Sequence, residues 1–163
     1  MFIMRWLLAA WVLAGSAVFA QDASTRPLQA VGVFSAVRNT ADHSYGQLAR
    51  LWYRGSLLVG EVMYWDGNLE AQRGRFTDGS VNIRTGDVRF KVTLVRSDVQ
   101  PNVRADAAFE GLLIKGVLAG KLTWLGDAAQ TRGRNGPEEW LLRYDKGEML
   151  EPVDSVEVWL KRQ

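Results

Sequence analysis

The chain has a single histidine, His43, set between Asp42 and Ser44. Asp, His and Ser are the residue types of nucleophilic acyl transfer. A working triad, however, draws its members from distant segments that converge on one reacting atom. His43 is therefore read as a solvated histidine in the polar loop 39–46. Arg73 and Arg75 flank Gly74. If a strand runs regularly from Leu69, both arginines point inward, and Arg73 opposite Gly60 makes a site for a ligand carboxylate. If Gly74 is a bulge, Phe76 joins Val81, Ile83, Val88 and Phe90 inside, and both arginines face water. The second arrangement buries no unpaired charge and is preferred.

The remaining candidates are of other kinds. The stretch 126–137 is rich in glycine and basic through Arg132 and Arg134, but it carries neither a Walker lysine nor a Gly-x-Gly-x-x-Gly spacing. It is read as a long solvent loop at one end of the domain. Glycoside hydrolysis needs two carboxylates held together in a cleft. Glu61 and Glu110 instead each fall opposite a basic residue. The chain contains no cysteine, which excludes disulfides, thiolate nucleophiles and Cys-ligated metals. One histidine excludes a multi-His metal site within one chain. Accordingly no catalytic residue, metal ligand or cofactor is assigned.

Among 163 residues there are 20 Lys plus Arg and 18 Asp plus Glu, a net charge of +2. So small an excess argues against a nucleic-acid partner. Residues 1–20 carry one charge, Arg5, then an apolar run from Trp6 to about Leu13, then small residues ending Val18-Phe19-Ala20. This is a signal-peptide pattern with cleavage expected after Ala20. The apolar run is short for a membrane span, so no stable span is expected after cleavage. The expected organisation is a signal peptide, 1–20, and one domain, 21–163. The expected location is the periplasm or the medium.

Within 21–163, short alternating segments separated by glycine-containing turns recur about every ten residues, the rhythm of an all-β sandwich or barrel. In 87–95, Val88, Phe90, Val92 and Leu94 share one face, with Arg89, Lys91 and Thr93 on the other. Two hairpins can be put in register. Turning at Gly55-Ser56 in a II′ loop, Tyr53 faces Leu58, Leu51 faces Gly60 and Ala49 faces Val62. The other face pairs Trp52 with Val59 and Arg50 with Glu61. Turning at Lys115-Gly116, Leu113 faces Leu118, Gly111 faces Gly120, Phe109 faces Leu122 and Ala107 faces Trp124, while Glu110 faces Lys121. A one-residue slip would bury a charge in either hairpin.

Further turns at Asp66-Gly67, Asp78-Gly79 and Gly86-Asp87 give strands near 30–38, 47–54, 57–65, 69–77, 80–85, 87–96, 104–114, 117–125, 138–145 and 154–161. The expected fold is an antiparallel up-and-down meander of about eight to ten strands closing into a barrel, with a β-sandwich as the alternative. Facing glycines, Gly111 and Gly120, mark a corner where a closed sheet bends. Ser155–Lys161 alternates Val156, Val158 and Leu160 against Glu157, Trp159 and Lys161, and is expected to close the barrel against 30–38. Trp52, between Arg50 and Arg54, is expected to be exposed.

With Gly32-Val33-Phe34-Ser35 opening such a run of hairpin-linked strands, the chain resembles the calycin group of lipocalins and avidins, and small exported β-barrels that open Gly-x-[Tyr/Phe]-Ser. Those families usually place Trp where Phe34 stands, and lipocalins have a C-terminal helix that this reading does not find. The resemblance implies a β-barrel and supplies no functional residue. The leading expectation is an exported binding module for a small apolar or amphipathic ligand or for an envelope partner. Tyr53, Phe90, Phe109, Trp124 and Arg73 are the candidate ligand-binding residues. Small inward residues (Ala49, Gly60, Ala107, Gly111, Gly120) suggest a partly open interior. The alternatives are a structural envelope protein with a filled core and a metal-independent enzyme.

Overall fold

A computed structural model describes residues 26–67, 70–96, 104–132 and 136–162. The signal-type segment 1–20, Leu69 and Arg134 lie outside them. The strands are β1 (Gln29–Ser35), β2 (Arg38–Asn39), β3 (Ser44–Arg54), β4 (Leu57–Asp66), β5 (Gln72–Val81), β6 (Asp87–Arg96), β7 (Arg104–Ile114), β8 (Val117–Trp124) and β9 (Glu138–Tyr144). Two short helices, α1 (Gly126–Thr131) and α2 (Val156–Lys161), complete the elements. Each strand from β3 to β9 pairs antiparallel with the next, and β1 pairs with both β9 and β3, so the sheet closes into a barrel. The two-residue β2 adds a short pairing with the start of β3.

Turn chemistry sets the register. Arg54 faces Leu57 across Gly55-Ser56, where Gly55 has φ +62°. Ile114 faces Val117 across Lys115-Gly116, where both residues have positive φ, as a primed turn requires. All cross-strand pairs expected for these two hairpins are present. Their apolar faces turn inward and join one core that includes Phe34, Leu51, Leu58, Phe76, Phe90, Phe109, Leu122, Trp124 and Trp140. Arg73, Arg75, Arg89, Lys91, Glu110 and Lys121 point outward, where a membrane-spanning barrel would need an apolar band. No helix among the described residues is long and apolar enough to cross a membrane.

Several expectations need correction. In place of separate strands over 69–77 and 80–85 there is one strand, β5 (Gln72–Val81), which runs through Asp78-Gly79 without a turn. Leu58 faces Gly79 and Gly60 faces Phe76, so one residue of β4 spans two of β5, a bulge at Thr77-Asp78. The chain turns instead at 82–86, where the Asn82 side chain accepts from the backbone N–H groups of Arg84 and Thr85. Ile83 sits in that turn, 69% exposed rather than inside. The stretch 126–137 is not all loop. Its first part forms α1, whose Ala128 is buried against the core.

The largest correction is at the C-terminus. Val156–Lys161 is a helix, not a closing strand. Ser155 caps it, its hydroxyl accepting from the Val158 N–H at 3.2 Å. Six alternating residues fit a strand, but Val156 and Trp159 are also i and i+3 on one helical face. The helix buries Trp159 in a second core with Val156 packed beside it, and the segment makes no pairing with β1. Trp159 packs instead on Trp52, ring centroids 5.8 Å apart, in that core with Leu28, Val59 and Val153. Trp52 is thereby covered, and its Nε1–H donates to the Glu151 carbonyl at 2.9 Å.

Candidate functional site

The interior is organised around an aromatic row. Phe76 stacks on Phe90 at 4.3 Å, Phe90 on Phe109 at 4.9 Å, and Phe109 tilts against Trp140 at 5.4 Å. Small inward residues supply the room for these rings. A Cβ on Gly60 would stand 2.7 Å from Phe76 Cζ, and one on Gly111 or Gly120 would stand 2.7 Å from Phe109 Cζ. The space beside those three glycines, which suggested an open barrel, is thus occupied by core rings.

Of the five candidate residues, Phe90 and Phe109 are brought together. Tyr53 lies near the end of the barrel marked by the turn 55–56, where its hydroxyl donates to Gln29 Oε1 at 2.7 Å. Trp124 lies at the opposite end, at the close of β8. Arg73 does not enter the barrel. It points outward, as does Arg75, while Gln72, Gly74 and Phe76 face in. The inward alternative for Arg73 is therefore overturned. The outward parity is set where β5 begins, at Gln72, with no bulge at Gly74.

Arg73 instead belongs to a seam between β5 and β6. The ladder pairs Arg73 with Val95 and resumes only at Ser80 with Arg89, having slipped register. Three open depressions follow this lapse. The first, about 640 Å³, is lined by Arg50, Glu61, Arg73, Arg75, Thr93 and Val95 among others. The second, about 500 Å³, has Arg75, Asp78, Lys91 and Asp106 beside Phe76 and Val92. The third, about 280 Å³, has Ser80, Arg89, Lys91 and Glu110 beside Phe90 and Phe109. Phe90 and Phe109 are 4% and 0% exposed, so their rings stay in the core beneath the third depression. Around it stand side chains of both signs, which suits an amphipathic molecule.

One flank of the seam is fixed by an ionic cluster. Arg50 contacts Glu61 at 3.0 Å and holds Glu148 through two bonds, at 2.6 and 3.2 Å. These bonds to Glu148, then Glu61, raise the Arg50 pKa against the opposing effect of burial. Arg75 donates to the Leu160 and Arg162 carbonyls at 3.2 and 2.5 Å and lies over the Trp159 ring. It thus serves the exposed carbonyls at the end of α2.

A second polar cluster, not expected from the sequence, closes the end of the barrel near α1. Glu138 Oε1 accepts from the Tyr64 hydroxyl at 3.0 Å and from Trp124 Nε1 at 2.8 Å. Burial first, and then the Glu138 charge, raises the Tyr64 pKa above the usual tyrosine range. Asp66 accepts from Gln72 Nε2 at 2.8 Å and pairs with Arg96 and Arg132. Arg132 also lies over the Trp124 ring at 5.0 Å. Asp66 is paired with two arginines and Glu138 accepts two hydrogen bonds, so the cluster reads as a polar plug. The members come from β4, β5, β6, β8, β9 and the end of α1. Only their positions at strand ends connect them in sequence. Among the described residues no group of three or more His, Asp and Glu converges on a metal position.

No protein-family model, curated protein or solved structure matches this chain.

Proposed function

We propose that this chain is an exported β-barrel binding module, periplasmic or secreted, that takes a small amphipathic ligand or an envelope partner along the β5–β6 seam and not inside a hollow barrel. One observation carries the reading: where the β5–β6 ladder lapses, a surface depression rimmed by Arg89, Lys91 and Glu110 lies over the buried Phe90 and Phe109. The closed antiparallel barrel is compatible with a calycin-like fold, and α2 adds a short helix near the C-terminus. Calycin membership is part of the same proposal.

Titration with 8-anilinonaphthalene-1-sulfonate tests it, since that probe joins aromatic rings to an anionic group. Saturable binding is expected, weakened by Arg89→Gln with Lys91→Gln and by Ser80→Trp, which fills the depression. Binding that these changes leave untouched would overturn the seam. No saturable binding would favour the second reading, a structural envelope protein with a filled core. That reading rests on Phe109, fully buried and packed against Gly111 and Gly120.

A further inference from the structure

The outer face of β7–β9 changes character along its length. One cross-strand row carries Arg89, Glu110, Lys121 and Glu139. Two residues on, toward the turn 115–116, the outward positions become Leu112, Ala119 and Leu141, and then Ile114 and Val117. The turn 82–86 lies beside them, since its Gly86 carbonyl accepts from the Leu113 N–H at 2.8 Å. Leu112, Ile114, Leu141 and Ile83 are 41, 47, 60 and 69% exposed. An apolar patch confined to one end of a sheet whose other positions are charged marks a contact surface.

The rim of this patch is basic. Arg84 and Lys115 stand on the two turns, and Arg143 and Lys146 follow on β9 and just beyond it. All four are exposed, and none forms an ion pair among the described residues. Two acids stand among them, Asp87 bonded to the Thr85 hydroxyl and Asp145 to the Gly147 N–H, so the four cations exceed the two carboxylates by two charges. A second copy of the chain fits poorly, because a two-fold contact would set this basic rim against itself. Exposed aliphatic side chains inside a rim with an excess of cations match an anionic lipid surface. The aliphatics enter the headgroup boundary and the cations meet the phosphates.

We propose that this end of the barrel is a membrane-docking tip that binds anionic phospholipid bilayers peripherally, with Ile83, Leu112, Ile114 and Leu141 as the inserted residues. The proposal goes beyond the seam, shares no residue with it, and survives if the seam binds nothing.

Co-sedimentation with phosphatidylglycerol-containing vesicles at low salt tests the proposal, with phosphatidylcholine vesicles for comparison. The protein is expected to partition onto the anionic vesicles and to be released by salt. Arg84→Gln with Lys115→Gln should weaken partitioning by more than about tenfold, each cation at an anionic surface contributing about fivefold. Ile83→Asp and Leu141→Asp should abolish it. Both sites are exposed, so the thermal midpoint should stay put. Arg89→Gln with Lys91→Gln, the same loss of charge at the seam, should cost much less. Absence of binding to anionic vesicles would overturn the proposal. So would binding that the tip changes do not alter, or that is equal on phosphatidylcholine. Self-association abolished by Leu141→Asp, without vesicle binding, would assign the patch to a protein contact instead.

Discussion

Gly111 and Gly120 face one another across β7 and β8, and the ring of Phe109 fills the volume both leave free. A Cβ on either would stand 2.7 Å from Phe109 Cζ. The ring fits there because both positions lack a side chain.

Gly111→Val should therefore destabilise the barrel by about 1–3 kcal/mol or more, through overpacking against Phe109 and the β8 backbone. The neighbouring change Glu110→Lys should cost only about 0.2–1 kcal/mol. Glu110 is exposed, and its contact with Arg89 is 3.9 Å long. Urea denaturation of the two variants checks the ordering. Equal costs would mean that the corner is not where the core is tightest.

Phe109→Ala should cost about 3–5 kcal/mol, the range for emptying a large side chain from a packed interior. Phe109 is fully buried between the Phe90 and Trp140 rings. A loss well under 2 kcal/mol, read from the same denaturation curves, would show that the ring borders open space.

Trp159→Ala should free the C-terminal strap and leave the barrel folded. It removes the ring that packs on Trp52 and lies under Arg75. Limited trypsin digestion should then cut at Lys146 and Lys161 well before the barrel is attacked, and Trp52 emission should shift to the red. A cooperative loss of the whole fold would instead make the strap an integral part of it.

Tyr64 supplies a pH dependence. Its folded pKa is raised, so the folded state keeps its proton where an unfolded tyrosine, at about pH 10, releases it. The stabilisation from neutral Tyr64 is complete below that pH and is lost as pH rises through the folded pKa. Stability should therefore fall as pH rises above about 10. Tyr64→Phe should flatten that fall, while costing about 1.5–3 kcal/mol at neutral pH through the lost bond to Glu138. Denaturation midpoints on both sides of that pH decide it. An equally steep fall in the variant would assign the effect to other groups.

Local rules made much of this protein legible. Hairpin register follows from two glycine-containing turns and from period-2 burial, because a one-residue slip would bury Arg50, Glu61, Glu110 or Lys121. The all-β class, the antiparallel meander and barrel closure follow from the same alternation repeated along the chain. The apolar tip was written there too, in Leu112-Leu113-Ile114 and Trp140-Leu141-Leu142, where apolar runs break the alternation that β7 and β9 otherwise keep. Other features depend on what each segment meets in space. Whether Val156–Lys161 became strand or helix turned on what Trp159 could pack against, and it met Trp52. Whether the room beside Gly60, Gly111 and Gly120 became a cavity turned on which distant rings reached it, and Phe76 and Phe109 did. The seam arises from a lapse in pairing between two individually regular strands. The Tyr64–Glu138–Trp124 plug joins strand ends at positions 64, 124 and 138 of the chain. Spacing along one strand specifies which face a residue takes. Only closure of the barrel decides which residues share the volume on that face, because those contacts join positions with no fixed separation in sequence.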